Sequence, residues 1–508
     1  MVEYLDIIEA QVNPSLEEPK TTAYNVELPP LNEQAWVKEF SVKYFSYSLL
    51  FGNAVKSEKI TVFHNPFTSE IVGKAQLIDD DDLQIFCSEQ FENNHLKKSE
   101  RVSILHNTAE ILNNNAETMA KLIAIEVGKP IRQARTEVKK SVEYLRLLVH
   151  DLQNLTGEIV LHSDEKTIQS SYSPRGLCLI INSFSFPLLT LVQALGPAIG
   201  AGNRVCIKPT QTGPLVAYNL LEMFFEAGLT RSMASFMNLQ QEQTLKLISS
   251  STASIIAFSG SLEAAHYLKS LIPAKTKSFF DLDSLSAVAV FEDSDFQNAV
   301  ASTIKGAFSF SGQALQAVKV AFVHKSIAQE FMENLVLAAN NLVIGNPLDE
   351  ETDIGPLIDE AACESFHSLV QQIVKNGHHL LSGGFKLGRN CYSPTIFYSK
   401  TIPLELPLDS LKGPILFVQT FADKEEIPQL LNEFSVISSL GIFTQSMNSI
   451  NYLIENLHLN DISINEQPLY KSQEKVLPLH PLSDLPLKGT IESLKAMSQV
   501  KFITNNQN

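Results

Sequence analysis

The sequence predicts an α/β fold: a Rossmann-type, largely parallel sheet domain, a second α/β domain and a small hairpin. Three observations carry this. The short, continuous apolar run at 177–181 has the length and composition of a strand buried on both faces, and 254–258, 288–291 and 318–323 read as further strands. Between them lie longer stretches with helical periodicity, stopped by Gly, Pro or Asn. The chain has 508 residues, too many for one hydrophobic core.

The clearest unit is residues 172–209, YSPRGLCLIINSFSFPLLTLVQALGPAIGAGNRVCIKP. The run 177–181 reads as a strand. Pro187 falls where a helix can open, because its missing N–H is an orphan there in any case. A helix at 188–199 is stopped by Gly200-Ala201-Gly202-Asn203, and 205–207 begins a second strand with Lys208 at its carboxyl end. Right-handed crossover makes the two strands parallel neighbours. Ligands of open parallel sheets bind outside the carboxyl ends of the strands, where Ser183, Phe184, Ser185 and Lys208 fall.

Residues 1–55 are polar and proline-spaced, with amphipathic pieces at 32–51 that predict a lead-in segment with a helix. Residues 59–72 read as two strands around the Asn65-Pro66 turn. The carboxylates Asp79 to Asp82 suit the amino end of a helix. Residues 97–152 have helical spacing, broken by Gly128-Lys129-Pro130, and 157–162 begin an extended hairpin. Gly213-Pro214 opens a helix to Ala227. The strand at 254–258 ends in Ser259-Gly260-Ser261, with a helix from Leu262. Small residues at a helix amino end suit a pyrophosphate, and equally a plain capping turn. Alternation continues through a helix at 296–310, a strand at 318–323, a helix at 326–341 and a strand at 439–443. The tail at 466–489 is proline-rich and unassigned.

A hydrophobic content of 44% and a charged content of 19% are those of a soluble globular protein. The net charge of −17 argues against coating nucleic acid or an anionic membrane. The acidic start, MVEYLDIIEA, lacks a secretory signal, so a cytoplasmic location is expected. The five cysteines lack CxxC spacing and read as free buried thiols rather than a disulfide framework or a zinc cage. His378-His379 follows a Gly turn and reads as a solvated loop, so no metal site is expected. Glycine, at 22 residues, is scarce for a large nucleotide-binding enzyme.

Several segments in order resemble the aldehyde dehydrogenase superfamily over about residues 60–503. They are Asn65-Pro66, Glu126-Val127-Gly128-Lys129-Pro130, Pro174-Arg175-Gly176, Phe186-Pro187, Gly202-Asn203 and Lys208-Pro209. They continue with Phe258-Ser259-Gly260-Ser261, the run from Gly345 to Ile358, Pro394-Thr395-Ile396-Phe397 and Gly441-Ile442-Phe443-Thr444. The resemblance implies a nicotinamide-nucleotide domain, a catalytic domain and an oligomerisation hairpin. It also implies aldehyde oxidation by a cysteine thiolate, with hydride passing to NAD(P)+ and a glutamate activating water.

The departures fall on the chemistry. The family's Asn-x-Gly-Gln-x-Cys reads Phe310-Ser311-Gly312-Gln313-Ala314-Leu315, so leucine takes the nucleophile position and cannot act as one. No cysteine lies between Cys206 and Cys363, so no shift of register restores it. Ser309 and Ser311 are substitutes only if a base adjoins them. The oxyanion asparagine falls at Ser185. The general base falls at Asp281, which reads more readily as a strand-end carboxylate with no catalytic job, and the two glycines after it become Asp283 and Ser284. On the cofactor side the resemblance implies Lys208 at the adenosine ribose, Ser261 at the pyrophosphate, Gln211 at the position that helps choose NAD or NADP, and Gly260 and Phe184 nearby. The ribose glutamate falls at Ser410.

The expected domains are a lead-in at 1–55, a nucleotide-binding domain from 56–151 and 175–283, a catalytic-type domain at 284–485, and a hairpin and tail at 152–174 and 490–508. The expected function is that of a superfamily member degenerate for aldehyde oxidation. It would retain NAD or NADP binding and act as subunit, regulator or scaffold, as a homo-dimer or tetramer. The alternative is an NAD(P)-dependent oxidoreductase with a non-thiol mechanism; a small aldehyde substrate is doubtful.

Overall fold

The computed structural model describes residues 44–89, 96–282, 284–314, 316–399, 411–432, 437–459, 461–468, 482–484 and 489–506. The positions of Asp283, Leu315 and Ser410, the first 43 residues and most of the 466–489 tail therefore lie outside the described residues. The rest divides into two compact units. One lies within 35–284, 314–316 and 470–508, the other within 285–313 and 317–469.

The first unit is built on a seven-stranded sheet. Its order is Lys277–Leu282, Ile255–Gly260, Leu177–Ile181, Arg204–Lys208, Ala234–Phe236, Leu49–Leu50 and Asn53–Ala54. The first five strands are parallel and the last two antiparallel. The central strand, Leu177–Ile181, is buried along its whole length, which stabilises the sheet by roughly 2 kcal/mol per side chain. From it the chain steps outward through Arg204–Lys208 and Ala234–Phe236. It then returns to the opposite side through Ile255–Gly260. Strand order thus reverses between Leu177–Ile181 and Ile255–Gly260, where open α/β sheets form their binding crevice. The helix Leu189–Ala201 is buried at every residue and ends at Gly202, in the left-handed region with φ of 90°. The helices Lys98–Asn114, Ala116–Val127 and Ile131–Asn154 belong to the same unit. The outer strand Lys277–Leu282 does not leave a bare edge. Asp484 accepts from the Ser278 N–H (2.8 Å) and from Lys269 Nζ (2.9 Å), and Ser483 Oγ accepts from the Phe280 N–H.

Three antiparallel strands, Ile159–His162, Lys166–Pro174 and Ser498–Asn506, form a separate sheet. Val500 lies opposite Tyr172, and the exposed Ile159 and Ile503 flank Gln169 on one side of the sheet.

The second unit has its own seven-stranded sheet, ordered His379–Ser382, Thr395–Tyr398, Ile415–Phe421, Val318–His324, Leu285–Val290, Ile437–Phe443 and Asp461–Ile464. All pairings are parallel except that of His379–Ser382. One core, with Phe322, Phe366 and Phe417, lies on one side of the sheet; another, with Phe308, Phe331 and Val418, lies on the other.

Three sequence expectations need correction. No helix occupies 44–51: Phe45–Ser46 pairs with Lys74 and Ala75, and Leu49 pairs with Phe236, so the sheet edges take these aromatic residues as strand. The strand predicted to end at Phe258 runs on through Gly260, because Ser259 and Gly260 pair with Asp281 and Leu282. The helix expected to reach Phe310 stops at Phe308, since Phe310 and Ser311 take left-handed φ values of 49° and 56°.

Candidate functional site

Four helices start at the carboxyl edge of the first unit's sheet, and each exposes N–H groups that need partners; Gln240 and Gln243 cap the amino end of Gln241–Ser249 reciprocally, which leaves three. Two are already filled by buried carboxyl groups. Glu137 Oε1 accepts from the N–H of Leu188 (2.9 Å) and of Leu189 (3.1 Å), at the start of Leu189–Ala201. Glu126 accepts from the N–H of Leu215 and of Val216, at the start of Leu215–Glu226. Burial pushes the Glu126 carboxyl up to about 8 against those two hydrogen bonds. The third helix, Leu262–Leu271, is capped only by Ser261, whose Oγ accepts from the Ala264 N–H at 3.2 Å. Of these three amino ends, the one at Ser261 is left for a phosphate.

Lys208 ends the strand Arg204–Lys208, in register with Ile181. Its side chain is half-buried, and its ammonium has no hydrogen-bond or ion-pair partner among the described residues. Burial draws it down to about 8. Nearby, the exposed Gln211 donates from Nε2 to the Leu239 carbonyl, and the Thr210 and Thr212 hydroxyls lie 3.1 Å apart. A cationic donor, adjoining hydroxyls and a free helix amino end fit a nucleotide with anionic phosphates. Lys208 and Gln211 would hold its adenosine side and Ser261 its pyrophosphate. Gly260 precedes Ser261, and an added Cβ there would meet the Phe258 ring at 2.6 Å.

At the strand-order reversal a cleft with about 340 Å³ of empty space, counting its solvent-open mouth, is lined by Asn182, Thr190, Gln193, Phe258, Ser259 and Asp281 among others. Ser259 and Asp281 are register partners, so both side chains project from the same face of the sheet. Ser259 Oγ is buried without a partner. Asn182 and Thr190 are committed to each other, the Thr190 hydroxyl donating to Asn182 Oδ1 at 2.7 Å. Ser185 lies in the turn between Ile181 and Leu189. It is fully buried and its Oγ has no partner, while its carbonyl accepts from Lys129 Nζ at 2.7 Å. Phe184, in the same turn, is partly buried.

The edge of this one sheet therefore gathers Phe184, Ser185, Lys208, Gln211, Gly260, Ser261 and Asp281. The family model that matches the chain, at residues 53–501, is that of the aldehyde dehydrogenases. This chain belongs to the aldehyde dehydrogenase family. A lactaldehyde dehydrogenase of Methanococcus maripaludis is 28% identical over 463 residues, covering 89% of this chain and 98% of that protein. An aspartate-semialdehyde dehydrogenase of Pseudomonas canavaninivorans is 28% identical, covering 81% and 88%. Among solved structures, the chain is similar to a glyceraldehyde-3-phosphate dehydrogenase from Methanocaldococcus jannaschii complexed with NADP. The TM-score is 0.81 at 26% identity, over 89% of this chain and 100% of that one. An NAD-dependent aldehyde dehydrogenase from Sinorhizobium meliloti shares the fold, with a TM-score of 0.85 at 22% identity over 94% and 98%.

Of the stretch that resembles the family's nucleophile motif, Phe310 to Gln313 fall in the second unit. There Gly312, at φ of 66°, leaves no room for a Cβ, which would meet the Gly413 carbonyl oxygen at 2.1 Å. Lys319, fully buried, donates to the carbonyls of Gly312 (2.8 Å) and Gly413 (2.7 Å); burial draws it down to about 7. The Ser311 hydroxyl donates to the Gly355 carbonyl at 2.7 Å and the Ser309 hydroxyl to that of Lys305 at 2.5 Å, so neither has the base a substitute nucleophile requires. No helix among the described residues is long and apolar enough to cross a membrane, and no cluster there could hold a metal ion.

Sequence reading missed Glu126, Glu137 and Ser259 as parts of this edge. For Glu126 a signal existed: it is the one charged residue in the run Leu122 to Val127, whose helical spacing demands burial.

Proposed function

We propose that this chain is an aldehyde dehydrogenase family member that binds a nicotinamide nucleotide but has lost the thiol step of aldehyde oxidation. It acts as a subunit, regulator or scaffold. The observation that carries the reading is Leu315 at the nucleophile position, in a stretch without cysteine from Cys206 to Cys363. Losing one member of a catalytic unit that works together costs many orders of magnitude in rate. Retained nucleotide binding is supported by the partnerless Lys208 ammonium and the free helix end at Ser261. It is also supported by the NADP complex of the similar Methanocaldococcus protein. When bound, the nucleotide would supply a hydride acceptor. In this reading the domain divisions are those expected from sequence, the protein is cytoplasmic, and the strands Lys166–Pro174 and Ser498–Asn506 join copies into a dimer or tetramer.

One observation favours a second reading. Asp281 and the partnerless Ser259 hydroxyl still line a cleft at the strand reversal, so a carboxylate and a hydrogen-bond donor remain for a non-thiol oxidoreductase.

Thermal unfolding with NAD+ and NADP+ tests the first reading. At about a hundred times its dissociation constant, a ligand of the native state adds roughly 2.7 kcal/mol. A shift with one nucleotide, without reduction of that nucleotide in the presence of aldehydes, is expected. Reduction with lactaldehyde or glyceraldehyde 3-phosphate would move the assignment to the second reading. No shift with either nucleotide would refute both.

A further inference from the structure

We infer that the short segment from Glu126 to Glu137 is a brace that positions both loops of the candidate nucleotide edge. Glu126, Lys129 and Glu137 act as its positioning residues. The inference rests on the nucleotide-binding reading for its consequence, though not for its geometry.

The segment joins two helices, turning at Gly128, whose φ is 74°. From it, three buried polar side chains reach main-chain atoms far away in sequence. Glu137 holds the N–H groups of Leu188 and Leu189. Lys129 forms an ion pair with Glu137, donates to the Ser185 carbonyl and lies 4.1 Å from the centre of the Phe186 ring. The turn between Ile181 and Leu189, which carries Phe184 and Ser185, is thus held at its middle and at its carboxyl end. On the other side, Glu126 holds the N–H groups of Leu215 and Val216, where the loop after Lys208 ends. The fit there is tight, for a Cβ on Gly213 would lie 2.7 Å from Glu126 Cγ.

Stability alone does not explain the arrangement. Lys129, Glu137 and Glu126 are 1%, 2% and 1% exposed. A buried ion pair recovers its desolvation cost only with good geometry, and apolar residues of similar volume often serve as well or better. What apolar residues cannot do is hold main-chain N–H and C=O groups in one orientation. These carboxyl groups also occupy two helix amino ends that would otherwise attract phosphate, leaving the end at Ser261.

The test compares the wild type with Lys129→Met/Glu137→Leu, which removes both charges together, and with Glu137→Gln, which keeps shape and one acceptor oxygen. Hydrogen exchange is followed for the peptide spanning 183–189, and NAD+ and NADP+ binding by calorimetry well below the unfolding temperature. The double variant is expected to unfold near the wild-type temperature. Exchange at 183–189 should be faster by at least about tenfold, and nucleotide binding weaker by about tenfold, the equivalent of about 1.4 kcal/mol. Glu137→Gln should recover most of both. Wild-type exchange and affinity in the double variant would overturn the inference. So would a uniform loss of protection across the first unit, which marks packing rather than positioning. If the double variant does not fold, Glu126→Leu decides, and wild-type exchange at 213–217 together with wild-type nucleotide affinity in that variant would overturn the brace. A wild type that binds neither nucleotide defeats the functional reading, and exchange alone then decides the brace.

Discussion

Lys208 offers the sharpest test of the nucleotide edge, because its charge can be removed by pH as well as by mutation. Burial draws its ammonium down to about 8, and no carboxylate among the described residues pairs with it. With that value, about nine-tenths of the side chains are charged near pH 7 and about one-tenth near pH 9. If the charged form is the binding form, nucleotide affinity falls about tenfold over that range, or about 1.4 kcal/mol. Stability of the ligand-free protein moves the other way. A lysine whose folded value is lowered binds fewer protons folded than unfolded, so stability rises as pH climbs from about 8 toward about 10.4. Replacing Lys208 by Met removes a charged hydrogen bond worth about 1.5–3 kcal/mol. Affinity at neutral pH should drop roughly tenfold to a hundredfold, the pH slope of affinity should vanish, and the stability rise above about pH 8 should shrink. Calorimetric titration of wild type and Lys208→Met at three pH values measures this. A flat wild-type profile, or a profile that persists in the methionine variant, would refute the assignment of Lys208.

Three further outcomes follow from the same geometry. Ser261→Ala removes the cap of Leu262–Leu271 and should cost about 1 kcal/mol in denaturant unfolding, while also weakening nucleotide binding. Lys319, drawn down to about 7, adds a rise of stability with pH from about 7 to about 10.4, and Lys319→Met should lose that rise in unfolding curves taken across the range. The native thiols are buried except the half-buried Cys87, and burial pushes those of Cys178 and Cys391 up to about 12. Iodoacetamide at neutral pH should therefore label the wild type slowly at every site but Cys87, as intact-mass spectra would show.

Much of the frame was legible because its signals are local. The apolar run at 177–181 and the stop at Gly202 depend on neighbouring residues alone. What escaped depends on partners distant in sequence. Phe45 and Leu49 carry an amphipathic pattern that suits a helix, but strands at Lys74 and Phe236 take them. Ser259 and Gly260 read as a turn because small residues usually make one, yet the outer strand offers them register partners. For the site, the positions at the carboxyl edge followed from strand order, which fixes where loops gather. The carboxyl groups that fill two of the helix ends followed only in part: the apolar run around Glu126 demands its burial, but nothing local names the N–H groups 50 or more residues away that Glu126 and Glu137 hold.

The loop that carries the family's nucleophile is held by contacts that do not involve the residue at that position. Gly312 presses against the Gly413 carbonyl in a backbone conformation that favours glycine. Ser311 is tied to Gly355, and Gln313 reaches the Pro356 carbonyl with one end and the Ile358 N–H with the other. Lys319 closes the set by bridging Gly312 and Gly413. Each of these bonds uses main-chain atoms or residues outside position 315. Changing that side chain therefore leaves these bonds, which shape the loop, in place. The same independence makes Leu315→Cys an informative variant. It should unfold within about 1 kcal/mol of wild type, since leucine to cysteine is the only change. If its thiol labels quickly yet no aldehyde reduces the nucleotide, the barrier lies with Ser185 and Asp281. If aldehyde oxidation exceeds that of the wild type, those two positions suffice beside a thiol, and position 315 is where the proposed loss lies.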